Sequence, residues 1–267
     1  MKILNSKLFL GALMMVSIMG YVASCTHKDV VVPKAASNAI VIVRGTDVVK
    51  AGVVGNGDTS TWKLDKVHSN VMWETNYMGA AGVLSGRFNQ FGMATLPDAK
   101  MINYVTASQP VADTSFYFDE DKPENTRFSG YVQMNTSNTG EPGRDAGCNI
   151  TALGTTAIVA GTQNLTVTNV AKIEVTKVEK DLLSADYIVT LNLIWRGGPG
   201  NVAGTPIVKS IVGKLKYIPK ALPTPTSTYR VCGLQLKFSF NCRDFGVTST
   251  SISDNVNIEC NMNFNNK

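Results

Sequence analysis

Five cysteines and two histidines carry most of the nucleophilic and metal-ligating chemistry that this 267-residue chain offers. Cys25 stands apart from the rest. It follows a short basic start (Lys2 and Lys7), an apolar run from Leu8 to Ile18, and the small residues Val22-Ala23-Ser24. That is the arrangement of a secretory signal, and the run is too short to span a membrane. A cut directly before a cysteine is the pattern of a bacterial lipoprotein signal. It predicts removal of residues 1–24 and a lipidated Cys25 as the new amino terminus. Two or more acyl chains would tether the protein stably to a membrane outside the cytoplasm, where one would hold it only reversibly.

Four cysteines remain: Cys148, Cys232, Cys242 and Cys260. An even number in an oxidising compartment points to disulfides. Cys232 and Cys242 lie on one apparent strand, ~33 Å apart when extended, and cannot bridge. Setting Cys242 opposite Cys260 places Phe240 against Met262 and Phe238 against Phe264, a coherent apolar register. Cys242–Cys260 is therefore the expected bridge, with Cys148–Cys232 as the remainder. His27 and His68 alone cannot build a zinc-spaced cluster, so no metal is expected. His68-Ser69 has the types of a base and a nucleophile, but neighbours on a strand point to opposite faces. A turn or strand-start hydrogen bond is the expected role. Gly198-Pro199-Gly200 lacks the following helix and the Lys-Ser/Thr pair of a phosphate loop. No nucleophile–base–acid constellation is left, and the chain reads as a protein that is not an enzyme.

The elements that must position these groups are strands. Val71, Trp73, Thr75 and Tyr77 alternate with polar residues, and Phe116 and Phe118 share a face. The same period of two runs through Tyr187 to Trp195, Leu234 to Phe240 and Val256 to Phe264. In the last stripe Asn257, Glu259, Asn261 and Asn263 mark the wet face. Turn signals fall at Asn138–Gly147, Gly197–Gly204, Pro219–Ser227 and Asp244–Asp254. Only Lys177–Ala185 hints at a helical period, and Ile40–Val43 is a candidate extra strand. Many short antiparallel strands with one polar face mean a barrel or a sandwich, and closure into a barrel removes exposed edges.

Loss of Lys2 and Lys7 with the signal lowers the formal net charge from +5 to +3. There is no basic run of five or more, so nucleic-acid binding has no electrostatic footprint. The expected organisation is a signal over 1–24, a lipidated terminus and tether or extra strand over 25–60, and one domain over 61–267.

Trp62-Lys63-Leu64-Asp65, His68-Ser69, Gly86-Arg87-Phe88, Arg144-Asp145 and Asn241-Cys242-Arg243-Asp244-Phe245-Gly246 occur in an order that resembles the YceI-like family of extracytoplasmic lipid-binding proteins. There, Gly-Arg-Phe is a turn leading into a strand, and the last motif precedes the final strand. The residue after Arg-Asp is usually His, whereas Ala146 stands here. The resemblance spans Trp62 to Phe264. It implies an all-β fold, an antiparallel lipocalin-like β-barrel of about eight strands, around an apolar interior that holds an isoprenoid quinone, a polyprenyl lipid or a similar amphiphile. No cofactor is otherwise expected.

In such a barrel the inward stripes supply the candidate cavity lining: Trp73, Tyr77, Phe116, Phe118, Leu191, Trp195, Leu236, Phe238 and Phe264. Arg87 and Arg144 are candidates for the ligand's headgroup, against a plainer reading as a solvated turn charge and a local Arg-Asp pair. The alternative is a structural or interaction lipoprotein whose barrel is filled by side chains. An open lumen separates the first reading from the second.

Overall fold

The computed structural model of the protein describes residues 41–42, 49–50, 62–78, 82–93, 108–109, 116–119, 121–147, 170–196 and 205–267. Cys25, Cys148 and the Gly197–Gly204 turn signal lie outside the described residues.

The described strands begin with β1 (Val41–Ile42), β2 (Val49–Lys50), β3 (Lys63–Asp65), β4 (Asn70–Tyr77) and β5 (Gly82–Phe88). They continue with β6 (Phe91–Gly92), β7 (Ser108–Gln109), β8 (Phe116–Phe118), β9 (Arg127–Gln133) and β10 (Ser137–Asn138). The long ones follow: β11 (Val170–Lys180), β12 (Tyr187–Arg196), β13 (Ile207–Leu222), β14 (Val231–Asn241) and β15 (Ile252–Asn265). A short helix, α1 (Pro142–Gly147), follows β10.

These antiparallel strands pair into a ring. From β4 the order runs β15, β14, β13, β12, β11, β9. It returns to β4 through β5 and β6, because β6 pairs with β9 and β10 with β5. With β5/β6 and β9/β10 each counted as one interrupted stave, the ring has eight staves. Alternation builds them: on β4, Val71, Trp73 and Thr75 are buried while Met72, Glu74 and Asn76 are exposed. A closed ring leaves no long edge to template aggregation.

The return is the weakest part of the wall. β14 and β15 match in one uninterrupted register from Val231↔Asn265 to Asn241↔Asn255. Across the return, only Ser137↔Phe88, Asn138↔Arg87, Phe91↔Val132 and Gly92↔Tyr131 pair. Between them a 3-10 turn, Met134–Thr136, interrupts β9/β10. Thr136 patches the gap: its Oγ1 accepts from Gln90 N at 3.0 Å and donates to Gln133 O at 2.7 Å.

Trp73 bolts this seam. Its indole N–H donates to Ser137 Oγ at 2.9 Å, from β4 across β5 to β10. Gly86 on β5 makes the crossing possible, since a Cβ there would lie 2.9 Å from the Trp73 ring and from Asn138 O. Gly86→Ala is expected to cost about 1–3 kcal/mol through overpacking. An unchanged urea midpoint would contradict it.

Several expectations change here. Gly86-Arg87-Phe88 ends β5 and is no turn; the turn is Asn89-Gln90. Pro219 lies inside β13, at the register break between Ile218 and Ala221, where the ladder has no need of its missing N–H. Lys177–Lys180 completes β11, and a turn follows it. Val41–Ile42 is a strand, paired with Leu222 and Ala221.

The Cys242–Cys260 disulfide is also overturned. Cys260 pairs with Leu236, and β14 ends at Asn241. Cys242 opens a 3-10 turn, six residues past Leu236, or about 20 Å along an extended chain. Both thiols are free. Cys242 Sγ donates to Ser253 O at 3.6 Å.

Candidate functional site

Inside the ring lies a cavity of about 70 Å³. Val71 of β4, Ile258, Cys260 and Met262 of β15 and Leu234, Leu236 and Phe238 of β14 stand side by side as one part of its wall, and Ala171, Ile173, Leu193 and Trp195 of β11 and β12 form another. The seam contributes Phe88, Met93, Phe128 and Met134. Small residues are part of the wall: Gly92, Gly130, Ala171 and Cys260. At ~10–15 Å³ per water-sized centre, the cavity admits about five methylene-sized groups.

One aromatic cluster borders it, and a second packs the opposite end of the barrel. Trp195 stacks on Phe245 with ring centroids 5.0 Å apart, and Phe240 meets them edge-on at 5.7 and 5.4 Å. Phe245 is held there by the closing motif. Asn241 Oδ1 caps the 3-10 turn by accepting from Arg243 N, and Gly246 takes the left-handed φ of 80° that ends it. At the other end Phe264 lies 4.6 Å from Phe116. Phe118 stacks on Tyr217 at 4.1 Å, with Tyr187 edge-on at 5.7 Å.

Of the nine side chains expected to line a cavity, Trp195, Leu236 and Phe238 do so. Trp73, Phe116, Phe118, Leu191 and Phe264 are buried in solid packing instead. Tyr77 is 46% exposed, because it sits at the end of β4 beyond a register break in β15. Neither headgroup candidate reaches the cavity. Arg87 projects from the outer face into a surface groove shared with Glu74 and Lys237. Arg144 is exposed on α1, and the neighbouring Asp145 orders its loop by accepting from Thr139 N and Oγ1 at 2.8 and 2.7 Å.

Sequence reasoning missed Ala171, Ile173, Met93, Met134 and the role of Cys260 as wall. Their signal, small or flexible residues meeting on adjacent staves, is readable only once the pairing is known.

His68 and Ser69 take the structural role expected of them. Asp65 Oδ2 contacts His68 Nδ1 at 2.8 Å, and Ser69 Oγ donates to Asp65 O while accepting from Asn263 N. They fasten the 3-10 turn Lys66–His68 to β15. Lys66 Nζ stands 4.9 Å over the Phe91 ring, and burial lowers its pKa to about 7. Among the described residues no three His, Cys, Asp or Glu side chains gather as a metal site.

Burial pushes the Cys260 thiol up to about 12, with the adjacent Glu259 charge adding to the shift. The folded protein therefore keeps this proton to about pH 12, whereas an unfolded thiol releases it near 8.5. The unfolded state gains by ionising, so the contribution is whole below about pH 8.5 and is lost progressively from there to pH 12. Burial raises Tyr131 and Cys242 in the same direction. The urea midpoint should fall from pH 8 to 10.5, and less steeply in Cys260→Val; equal slopes would refute the assignment.

A closed antiparallel ring around an apolar cavity defines a lipocalin-like β-barrel. The chain belongs to the YceI-like domain family, whose model matches residues 62–264. No curated protein matches the sequence. Similar solved structures include BcnA of Burkholderia cenocepacia, at 12% identity over 75% of this chain and 98% of that one, with a TM-score of 0.46. A polyisoprenoid binding domain from Saccharophagus degradans, implicated in plant cell wall breakdown, gives 13% identity, 76% and 97% coverage and a TM-score of 0.38. A mutant CJ YceI protein for nanotechnology applications gives 17%, 76% and 96%, and 0.45.

Proposed function

We propose that this protein is a lipid-anchored protein of the bacterial cell envelope that holds the apolar tail of an isoprenoid quinone or polyprenyl lipid in its barrel for carriage, storage or sensing. The observation that carries the reading is the apolar cavity inside the ring, bordered by an aromatic cluster. Membership of the YceI-like family and the lipoprotein signal before Cys25 support it. The cavity is small and its lining is almost wholly apolar, which suits part of an apolar tail. Met93, Met134 and Met262 form the adjustable wall, because an unbranched thioether repacks around a longer tail at small cost. Binding and release are the whole mechanism, with no covalent step.

The test is mass spectrometry of organic extracts from the full-length protein made in a bacterial envelope, with Ala171→Phe prepared in parallel. A prenyl species near one per chain, absent from the variant, supports the reading. Identical extracts shift the function to the filled-barrel interaction protein. The anchor is tested separately: Cys25→Ser should move the protein from the membrane to the soluble envelope fraction.

A further inference from the structure

Leu182 and Leu183 are the most exposed large apolar side chains among the described residues, at 94% and 96%. They form the tip of the turn between β11 and β12, and the turn is built to hold them out. Asp181, only 8% exposed, accepts from Leu183 N at 3.0 Å and Ser184 Oγ at 2.8 Å. Its own N–H donates to Asp186 O at 3.0 Å, which closes the loop beneath the leucines. Lys214 Nζ lies 3.8 Å from the same carboxylate. A fixed turn that presents two leucines to water gains nothing for the fold.

Two further observations say what covers them. Lys180 and Lys216 are exposed, carry no ion pair among the described residues, and stand at this end of the wall: Lys180 pairs with Tyr187, Tyr187 pairs with Leu215, and Lys216 follows Leu215. The amino-terminal segment also joins the barrel at this end. β1 pairs with Ala221 and Leu222, on the stretch of β13 that runs past Leu215 beyond the turn. The chain from Cys25 to Val41 spans at most about 55 Å when extended.

We propose that the Asp181–Asp186 turn is a membrane-contact tip. Leu182 and Leu183 enter the boundary between headgroups and acyl chains, and Lys180 and Lys216 meet anionic headgroups. The barrel end that receives the tether then faces the bilayer. The inference rests on the envelope reading only for the tether; insertion of the tip is independent of any ligand.

The experiment uses the full chain carrying Leu182→Trp. Trp62, Trp73 and Trp195 are 1–2% exposed and shielded from lipid, so a vesicle-dependent change in emission belongs to the new indole. Vesicles of phosphatidylethanolamine and phosphatidylglycerol (about 3:1), with part of the acyl chains brominated, should shift its emission to the blue and quench it. Adding Leu183→Asp to this chain should abolish both the blue shift and the quenching. Vesicle-bound protein with an unshifted, unquenched indole would overturn the proposal, as would no binding. A concentration-dependent blue shift without vesicles would also overturn it, in favour of a second copy as partner. A missing extractable lipid leaves this readout unmoved, so the two failures are distinguishable.

Discussion

Ala171→Phe is expected to lower affinity for an apolar tail at least a hundred-fold while leaving the barrel folded. Ala171 is 8% exposed, lines the cavity and sits opposite Trp195 on the neighbouring stave. A phenyl ring there occupies the room of about five methylene-sized groups. At ~0.8 kcal/mol for each group buried, the lost transfer energy is about 4 kcal/mol, or near a thousand-fold; partial rearrangement of the methionines brings the expectation down to a hundred. The fold survives because the ring fills existing space, and its burial offsets most of the local strain. Binding of a fluorescent prenyl probe and a thermal unfolding scan check the two halves separately. A variant that binds the probe unchanged would place the ligand elsewhere.

The second large effect concerns Arg243. Its guanidinium donates to Val247 O at 3.0 Å, Ser249 O at 2.7 Å and Ile252 O at 2.8 Å, and to Asp254 at 2.9 Å. Two carbonyls of the loop after β14 and one from the first residue of β15 thus converge on one planar fork. Asp254 is 64% exposed, so its ion pair contributes little. The carbonyls matter more, since hydrogen bonds to a charged donor contribute ~1.5–3 kcal/mol and are not additive. Arg243→Ala is expected to destabilise by about 3 kcal/mol, lowering Tm by ~6–12 °C. Arg243→Lys should recover less than half, because an ammonium cannot reach three carbonyls spread across a fork. The loop also carries Phe245 against Trp195, so the variant should release a bound probe faster. A Tm within 2 °C of the parent would remove Arg243 from this role.

Arg243 also marks how the family motif differs from the working structure. Asp244 of that motif is half-exposed and meets Lys209 only at 4.0 Å. Its neighbour Arg243 ties the loop together instead. Side-chain type was visible in the sequence; the convergence of three carbonyls on it was not.

The cysteines show the same division between β14 and β15. The expected register, Cys242 opposite Cys260, is displaced by six residues from the observed Leu236↔Cys260. Six is even, so every residue expected to face inward on these strands still does. Period-two alternation fixes which face is buried, and a shift by two preserves it. The partner depends on the turn, and this one includes a 3-10 helix and a register break that the pattern cannot count.

By itself the sequence determined the strand class, the inward faces of β4, β12, β14 and β15, and the family, because each is written in local alternation or in short motifs. Tertiary structure alone decided that six of nine inward candidates lie outside the cavity wall, and that both arginines miss it. It also decided that Gly92, Gly130, Ala171 and Cys260 share the wall of one cavity. These four residues lie on different staves, far apart along the chain. A void is a property of what neighbours fail to fill, and neighbours are set only when the ring closes.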